Sequence, residues 1–282
     1  MGHLLDRARH ADHPASMLDW ARLAAGAAGL SGSREDSARA LRLEGQALRA
    51  LGRHAEAVDA LEQAAQAAEG AGDPLLAGRC RLGLIDSLGW IGREGEALAL
   101  SQRLGEELAA LDAPDDAARA LVNRGNLLFR RDEYEAALAC YLEAAPVLER
   151  SGDATAAASV HANAANILTN LGRVDEALDL YGQARAAFEA GGLRIHAAMV
   201  DLNVGWLRHV SGRHAAALAD LSRASTEFAG AGHTLFAAKC DADIAEVCRT
   251  LNLLPEGCEA GRRALEAFAA AGASYDHARV AV

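Results

Sequence analysis

The sequence has few aromatic residues, few prolines and no long apolar run. Aromatic residues make up 4% of the 282 residues, and there are five prolines. Strand-forming residues never cluster with the alternating pattern of a sheet, so no sheet is predicted. No apolar segment approaches the roughly 20 residues that cross a bilayer, and the N-terminus lacks the apolar core of a signal peptide. We therefore expect a helical, cytoplasmic protein without a membrane partner.

Basic residues are also scarce. The chain has 28 Lys and Arg against 39 Asp and Glu, a formal net charge of −11. Proteins that bind nucleic acid need a basic surface for the phosphate backbone. We therefore expect no nucleic acid partner.

Catalytic and metal-binding motifs are missing as well. The sequence has no glycine-rich phosphate loop, no G-x-S-x-G elbow, no H-E-x-x-H and no C-x-x-C pair. Five scattered cysteines indicate neither a disulfide framework nor a zinc site. The histidines fall mostly in predicted turns or at helix ends, as His54 and His214 do. The prediction is a non-catalytic protein with no cofactor and no metal.

What the chain does have is a repeat of 40 residues. Gly-Arg pairs mark one repeat position, and alanines mark another five residues later: Gly52, Gly92, Gly172 and Gly212, with Ala57, Ala97, Ala137, Ala177 and Ala217. Repeats of about 20–50 residues are typical of solenoids, in which each unit contacts its neighbours. Cys80 and Cys240 share one repeat position, where a small buried residue would serve.

Each repeat predicts two helices of about 16 residues joined by short turns. We expect a degenerate N-terminal cap over residues 1–33 and an array over 34–272. The array divides into repeats 34–72, 73–112, 113–152, 153–192, 193–232 and 233–272. Residues 273–282 would begin a further, truncated helix.

Small residues recur at three positions of the repeat, where they let two helices approach closely. They are Gly45, Gly125, Ala165, Gly205 and Ala245; Ala57, Ala137, Ala177, Ala217 and Gly257; and Ala64, Ala144, Ala184, Ala224 and Ala264. This pattern resembles the tetratricopeptide repeat (TPR) family, in its extended form of about 40 residues. The resemblance implies an all-α fold, a right-handed superhelix of antiparallel helix pairs. Ile85 departs from the pattern and, with nearby glycines, predicts a weak second repeat.

Asparagines recur at two positions of the predicted first helices. Asparagine competes for backbone hydrogen bonds and is a mediocre helix former, so this recurrence works against helix propensity. In extended TPR proteins these positions line the concave groove, and asparagine ladders hold peptides there. The resemblance thus implies a peptide or partner-binding site of Asn123, Asn126, Asn163, Asn166, Asn203, Trp206, Arg119, Arg130 and Asn170.

An alternative is that the asparagines bridge neighbouring helices and order the stack, and one asparagine could do both. Trp90 is expected to pack in the interior, with a place on the groove rim as the alternative. Because Arg119 and Arg130 fall in the predicted groove, a partner carrying carboxylates is expected.

Three functions remain open. The first is a module that binds a protein or peptide partner in the groove. The second is a regulatory or sensor array controlling an attached effector domain, and the third is a structural spacer. The chain stops within a predicted helix, which indicates a fragment, a homo-oligomer contact or a downstream domain. The Ala/Gly/Arg/Leu-rich units also resemble, more weakly, the N-terminal arrays of bacterial CHAT-domain proteins, which carry a caspase-like protease.

Overall fold

The computed structural model describes residues 1–11 and 13–273, and these residues form helices and turns with no strand. The helices are α1 (Gly2–Arg9), α2 (Pro14–Ser31), α3 (Arg34–Ala50), α4 (His54–Gly70), α5 (Pro74–Trp90), α6 (Glu94–Ala110), α7 (Pro114–Arg130), α8 (Tyr134–Arg150), α9 (Ala154–Asn170), α10 (Val174–Ala190), α11 (Arg194–Val210), α12 (His214–Gly230), α13 (Thr234–Thr250) and α14 (Leu254–Ala270). The predicted helices of the array agree with these bounds to within one or two residues. The helix expected after residue 273 lies outside the described residues.

The chain divides into two compact units, Met1–Ser151 and Gly152–Val282. The first unit contains α1–α8, and the described part of the second contains α9–α14. In both units a repeat is a first helix, a tight turn and a second helix that packs back on the first. The fold is all-α, as the repeat predicts.

The turns share one backbone conformation. Residues with positive φ recur every 20 positions from 52 to 272, and most of them are glycine, which adopts this left-handed conformation without a Cβ clash. At three of these positions the residue is Asp112, Asp132 or Asn252, with φ of 55°, 59° and 57°. Asp and Asn tolerate the left-handed region better than other side chains do. The turn geometry therefore persists where the glycine pattern of the sequence lapses.

Small residues of the first helix lie directly against large residues of the second. A Cβ added to Gly45, Gly125 or Gly205 would stand 2.5, 2.7 or 2.6 Å from the side chain 16 residues later, which is Leu61, Tyr141 or Leu221. Real Cβ atoms do not approach neighbours so closely. The predicted need for small residues is confirmed at these positions.

The second repeat reverses the sizes. Ile85 stands where the other first helices have a small residue, and it is fully buried. Sixteen residues later the large side chain is replaced by Ser101, which is also buried. In this repeat the larger side chain of the pair, Ile85, lies on the first helix, and the smaller one, Ser101, lies on the second.

Buried aspartates in the second unit are paired with arginines of the same or the preceding repeat. Arg223 donates two hydrogen bonds to Asp201, of 2.6 and 2.7 Å, and Arg185 donates another of 2.7 Å. One repeat later, Arg263 donates to Asp241 at 2.9 and 3.0 Å. The bonds to Asp201 raise the pKa of Arg223 above its usual value. These pairs compensate carboxylates that would otherwise be costly to bury.

The cysteines at the shared repeat position are buried, as expected. Burial raises the pKa of the Cys80 thiol to about 11 and that of Cys240 to about 12. Both thiols therefore stay protonated and act as small apolar residues.

Candidate interaction surface

Two of the predicted site asparagines in the second unit contact each other. Asn203 of α11 donates its Nδ2–H to Oδ1 of Asn166 on α9, at 3.1 Å. The same Oδ1 accepts a 2.5 Å hydrogen bond from the hydroxyl of Tyr181 on α10. Burial raises the pKa of Tyr181, so the hydroxyl remains a donor. Asn166 thus links three helices.

The first unit repeats the tyrosine contact. The hydroxyl of Tyr141 on α8 donates to Oδ1 of Asn126 on α7 at 2.5 Å. The other predicted asparagine of α7, Asn123, donates its Nδ2–H to the backbone carbonyl of Leu82 on α5 at 2.9 Å. These contacts give Asn126, Asn166 and Asn123 roles in holding helices together, as the alternative interpretation of the sequence expects.

Asn163 and Asn170 differ from the others. Asn163 is half-buried on α9, and Asn170 is exposed at the C-terminal end of the same helix. Neither side chain has a hydrogen bond to another residue in the part of the second unit that the structure describes. Their amides are therefore available to a ligand.

Trp206 lies one helical turn beyond Asn203 on α11 and borders a large pocket. Its side chain is 43% exposed. The pocket, of about 900 Å³, lies against α13 and α14. It is lined by Trp206, Ala242, Asp243, Ala245, Glu246, Arg249, Leu254, Gly257, Cys258, Gly261, Arg262 and Leu265. An exposed indole beside a mainly apolar cavity is a surface that can anchor a partner's side chain.

Charged and aromatic groups surround this indole. Glu246 accepts hydrogen bonds of 2.5 and 3.0 Å from Arg249, which lowers the pKa of its carboxyl. The ring of His209 lies 5.6 Å from that of Trp206, and its Nδ1 is 3.2 Å from Nδ1 of His214. Burial lowers the pKa of His209. Burial therefore favours the uncharged form of this ring, and the pocket margin carries the salt-bridged carboxylate of Glu246.

The predicted arginines lie on α7 in the first unit. Arg119 is exposed. Arg130 reaches Asp86 at 3.6 Å, and Asp86 also accepts a 2.9 Å hydrogen bond from Arg49. Two guanidinium groups thus share one carboxylate, which leaves an excess of positive charge there.

Trp90 differs from the expectation of an interior position, because its side chain is 59% exposed. The ring stacks on His54, with centroids 5.4 Å apart, and Arg130 lies 5.1 Å from its centroid. The sequence placed Trp90 at the last position of its helix, and this end position leaves the ring on the surface. It is the second exposed tryptophan beside predicted site residues.

Comparison with known protein families identifies the repeat. Two tetratricopeptide repeat models match the sequence, one over residues 38–70 and the other over residues 116–190. This chain contains tetratricopeptide repeats. The comparisons show no link between this TPR protein and CHAT-domain proteins. A search of curated proteins found no match.

Solved structures share the TPR fold at low sequence identity. BtubC (BKLC) from P. vanneervenii is 18% identical with a TM-score of 0.69, covering 76% of this chain and 91% of that one. The quorum sensor NprR from B. thuringiensis is 17% identical with a TM-score of 0.71, covering 90% and 71%. The Rap conjugation gene regulator of the plasmid pLS20, in complex with the Phr* peptide, is 17% identical with a TM-score of 0.65, covering 90% and 68%.

Residues 1–11 and 13–273 contain neither a membrane-spanning helix nor a metal-binding cluster. None of the helices there is long and apolar enough to cross a bilayer. Within the same residues, no group of three or more His, Cys, Asp or Glu side chains is placed to hold a metal ion.

Proposed function

We propose that this TPR protein is a non-catalytic interaction module that binds a peptide or partner segment on the first helices of its second unit. The binding surface comprises Asn163, Asn166, Asn203 and Trp206, with the pocket beside Trp206. TPR-like neighbours support this proposal, since the pLS20 Rap regulator was solved with a peptide bound. Function does not follow from fold alone, so the case depends on the surface itself.

The observation that carries the proposal is the exposed indole of Trp206 at a pocket of about 900 Å³. Tryptophan is among the residues that dominate binding energy at interfaces, and apolar pockets receive anchor side chains. Asn203 precedes Trp206 by one turn, so the amide and the indole share a face of α11. A bound segment could place an apolar side chain in the pocket and its backbone along the asparagines.

The asparagines would contribute unequally. The free amide of Asn163 offers two N–H donors and a carbonyl acceptor, which suit the C=O and N–H of an extended backbone. Asn166 already accepts two hydrogen bonds through its oxygen. We therefore assign ligand contact chiefly to Asn163 and Trp206, and a supporting role to Asn166.

The first unit would hold a separate contact region, for a carboxylate-bearing partner. There Arg49 and Arg130 share the single carboxylate of Asp86. An acidic side chain of the partner would be attracted by the remaining positive charge. Asn123, Asn126, Arg119 and Asn170 remain predicted contacts of lower weight in this proposal.

A selection experiment tests the proposal without knowing the partner. Random 12-residue peptides are selected on the immobilised chain, and the affinity of the best binder is measured by fluorescence anisotropy. Trp206→Ala is expected to weaken binding about tenfold or more, in line with hot-spot tryptophans. The control is Leu30→Ala, which removes an exposed apolar side chain of α2 that the proposal does not use and is expected to leave affinity unchanged.

Melting temperature is measured for both variants, because a loss of folding would also abolish binding. Equal affinity of the selected peptides for wild type and Trp206→Ala would contradict the proposed site. Failure to select any peptide against the folded chain would contradict peptide binding itself.

A regulatory array is the second candidate function. It is favoured by the likeness to NprR, described as a quorum sensor, and to the Rap conjugation gene regulator. Such an array would control an effector by changing conformation when the peptide binds. Small-angle scattering with and without the selected peptide distinguishes the two candidates, since a simple binding module keeps its radius of gyration.

A further inference from the structure

Four arginines converge on a small cavity in the first unit. The cavity, of about 370 Å³, lies where α1, α3 and the start of α5 meet. Its walls carry Arg9, Arg39, Arg42 and Arg79, with Asp73 and two leucines. In a chain with a net charge of −11, such a concentration of positive charge is unexpected.

Most acidic side chains that pair with these arginines do not line the cavity. Arg79 donates to Asp116 at 2.7 Å, and Arg39 pairs with Glu35 at 2.5 Å. Neither acid lines the cavity. Asp73 does line it, but its carboxylate accepts the backbone N–H of Leu76 at 2.8 Å as the N-cap of α5.

Arg42 is the residue that the fold leaves uncompensated. It has no ion pair with another residue among 1–11 and 13–273, and its Nε is buried without a hydrogen-bond partner. Burial lowers the pKa of Arg42, and the neighbouring guanidinium groups of Arg79 and Arg9 lower it further. A partly buried cation among other cations destabilises the ligand-free protein unless an anion joins it.

We propose that this cavity binds a phosphoryl group of a small ligand. Guanidinium groups donate paired N–H bonds that match the oxygens of a phosphate, and arginine remains charged throughout the physiological range. A phosphoryl group presents up to two negative charges and three acceptor oxygens, whereas a carboxylate presents one charge and two oxygens. Several converging arginines are therefore better satisfied by the phosphoryl group.

The size of the cavity restricts the ligand. A volume of about 370 Å³ accommodates pyrophosphate or a monophosphate ester of a small molecule. A nucleic acid backbone requires a row of basic contacts along an extended surface instead. The cavity shares no lining residue with the proposed peptide surface.

Calorimetric titration of the full chain tests the proposal. The probes are sodium pyrophosphate, inorganic phosphate and phosphoserine, with citrate as a polycarboxylate probe at the same ionic strength. Wild type is expected to bind pyrophosphate more tightly than citrate. Phosphoserine binding close to that of inorganic phosphate would identify the phosphoryl group as the recognised part, and clearly tighter phosphoserine binding would identify an amino-acid ester as the source.

Arg42→Gln is expected to weaken pyrophosphate binding about tenfold or more, the usual effect of losing a charged hydrogen bond. The matched control is Arg103→Gln, which removes the same charge from an exposed position on α6 and is expected to leave affinity unchanged. Without ligand, Arg42→Gln is expected to melt no lower than wild type, because it removes an uncompensated cation. A merely structural Arg42 would give a lower melting temperature.

Arg39→Gln provides a second test should Arg42→Gln fail to fold, since the half-buried Arg39 can be removed with Arg42 left in place. It is expected to weaken binding by a similar factor. The proposal is overturned if wild type shows no pyrophosphate binding, if citrate binds as tightly, or if the Arg39 and Arg103 variants bind alike.

Discussion

At the scale of single residues, asparagine and tyrosine occur together in this repeat. Asn126 contacts Tyr141 and Asn166 contacts Tyr181, each pair 15 residues apart. In the repeats that have leucine at the tyrosine position, Leu61 and Leu221, the asparagine position holds glutamine or tryptophan. A buried hydroxyl needs an acceptor, and the asparagine supplies it.

The spacing of this pair is visible in the sequence, because both the asparagine and the tyrosine recur 40 residues later. An asparagine that recurs in helices despite its low helix propensity indicates a specific role. That role can be a hydrogen bond to a neighbouring helix as well as a contact with a ligand. The amide of Asn163 lacks any such partner among the described residues of its unit. The distinction between Asn163 and Asn166 depends on side-chain contacts that the repeat pattern does not contain.

Two asparagine variants are expected to differ in stability. Asn166→Ala leaves the Tyr181 hydroxyl without its acceptor, which should lower the free energy of unfolding by about 1–3 kcal/mol. Asn163→Ala removes no hydrogen bond to a described residue and should change it by less than about 0.5 kcal/mol. Urea denaturation monitored by circular dichroism measures both. Equal losses would mean that Asn163 also holds the stack together.

At the scale of helices, the sequence predicted bounds well because turns and apolar spacing repeat with the same period. Where the glycine pattern lapses, Asp112, Asp132 and Asn252 adopt the left-handed backbone in its place. The weak second repeat was predicted partly from Ile85, on the assumption that its position must be small. The structure shows instead that Ile85 is fully buried and that the buried residue 16 positions later in this repeat is the small Ser101.

Two glycine-to-alanine substitutions are expected to change the free energy of unfolding in opposite directions. Gly125→Ala would place a Cβ 2.7 Å from the buried ring of Tyr141, so overpacking should lower the free energy of unfolding by about 1–3 kcal/mol. Gly105→Ala, within α6, meets nothing within 4 Å and should raise it by about 1 kcal/mol through helix propensity. Chemical denaturation of both variants and wild type measures the difference. A stabilising Gly125→Ala would contradict the close approach of α7 and α8.

At the scale of the whole molecule, the acidic composition conceals local concentrations of arginine. Net charge correctly describes the average surface, but it did not reveal the cavity bordered by Arg9, Arg39, Arg42 and Arg79. Arg39 and Arg79 are one repeat apart, so their alignment is visible in the sequence. Arg9 lies in α1, outside the periodic part, and its approach to the others required the fold.

The array is expected to be unevenly protected against amide hydrogen exchange. The repeat of α5 and α6 contains Gly95 and Gly105, where the lack of a side chain raises the conformational entropy of the unfolded chain and no close approach requires glycine. The repeat of α9 and α10 has alanine-rich helices and the bonded Tyr181. Exchange followed by mass spectrometry should therefore be faster in α6 than in α10, by about five- to tenfold for a difference of about 1 kcal/mol. Equal protection in the two helices would contradict this expectation.

The exchange of size between Ile85 and Ser101 also limits how such an array can be recombined. A crossover in the turn within a repeat, near residue 92 or 132, could set Ile85 against the large Tyr141 or leave Gly125 opposite Ser101. A crossover in the turn between repeats, near residue 112 or 152, transfers both members of the pair together. Insertion, deletion and grafting of repeats should therefore succeed at every second turn, because the unit that can be inherited or transplanted intact is the helix pair.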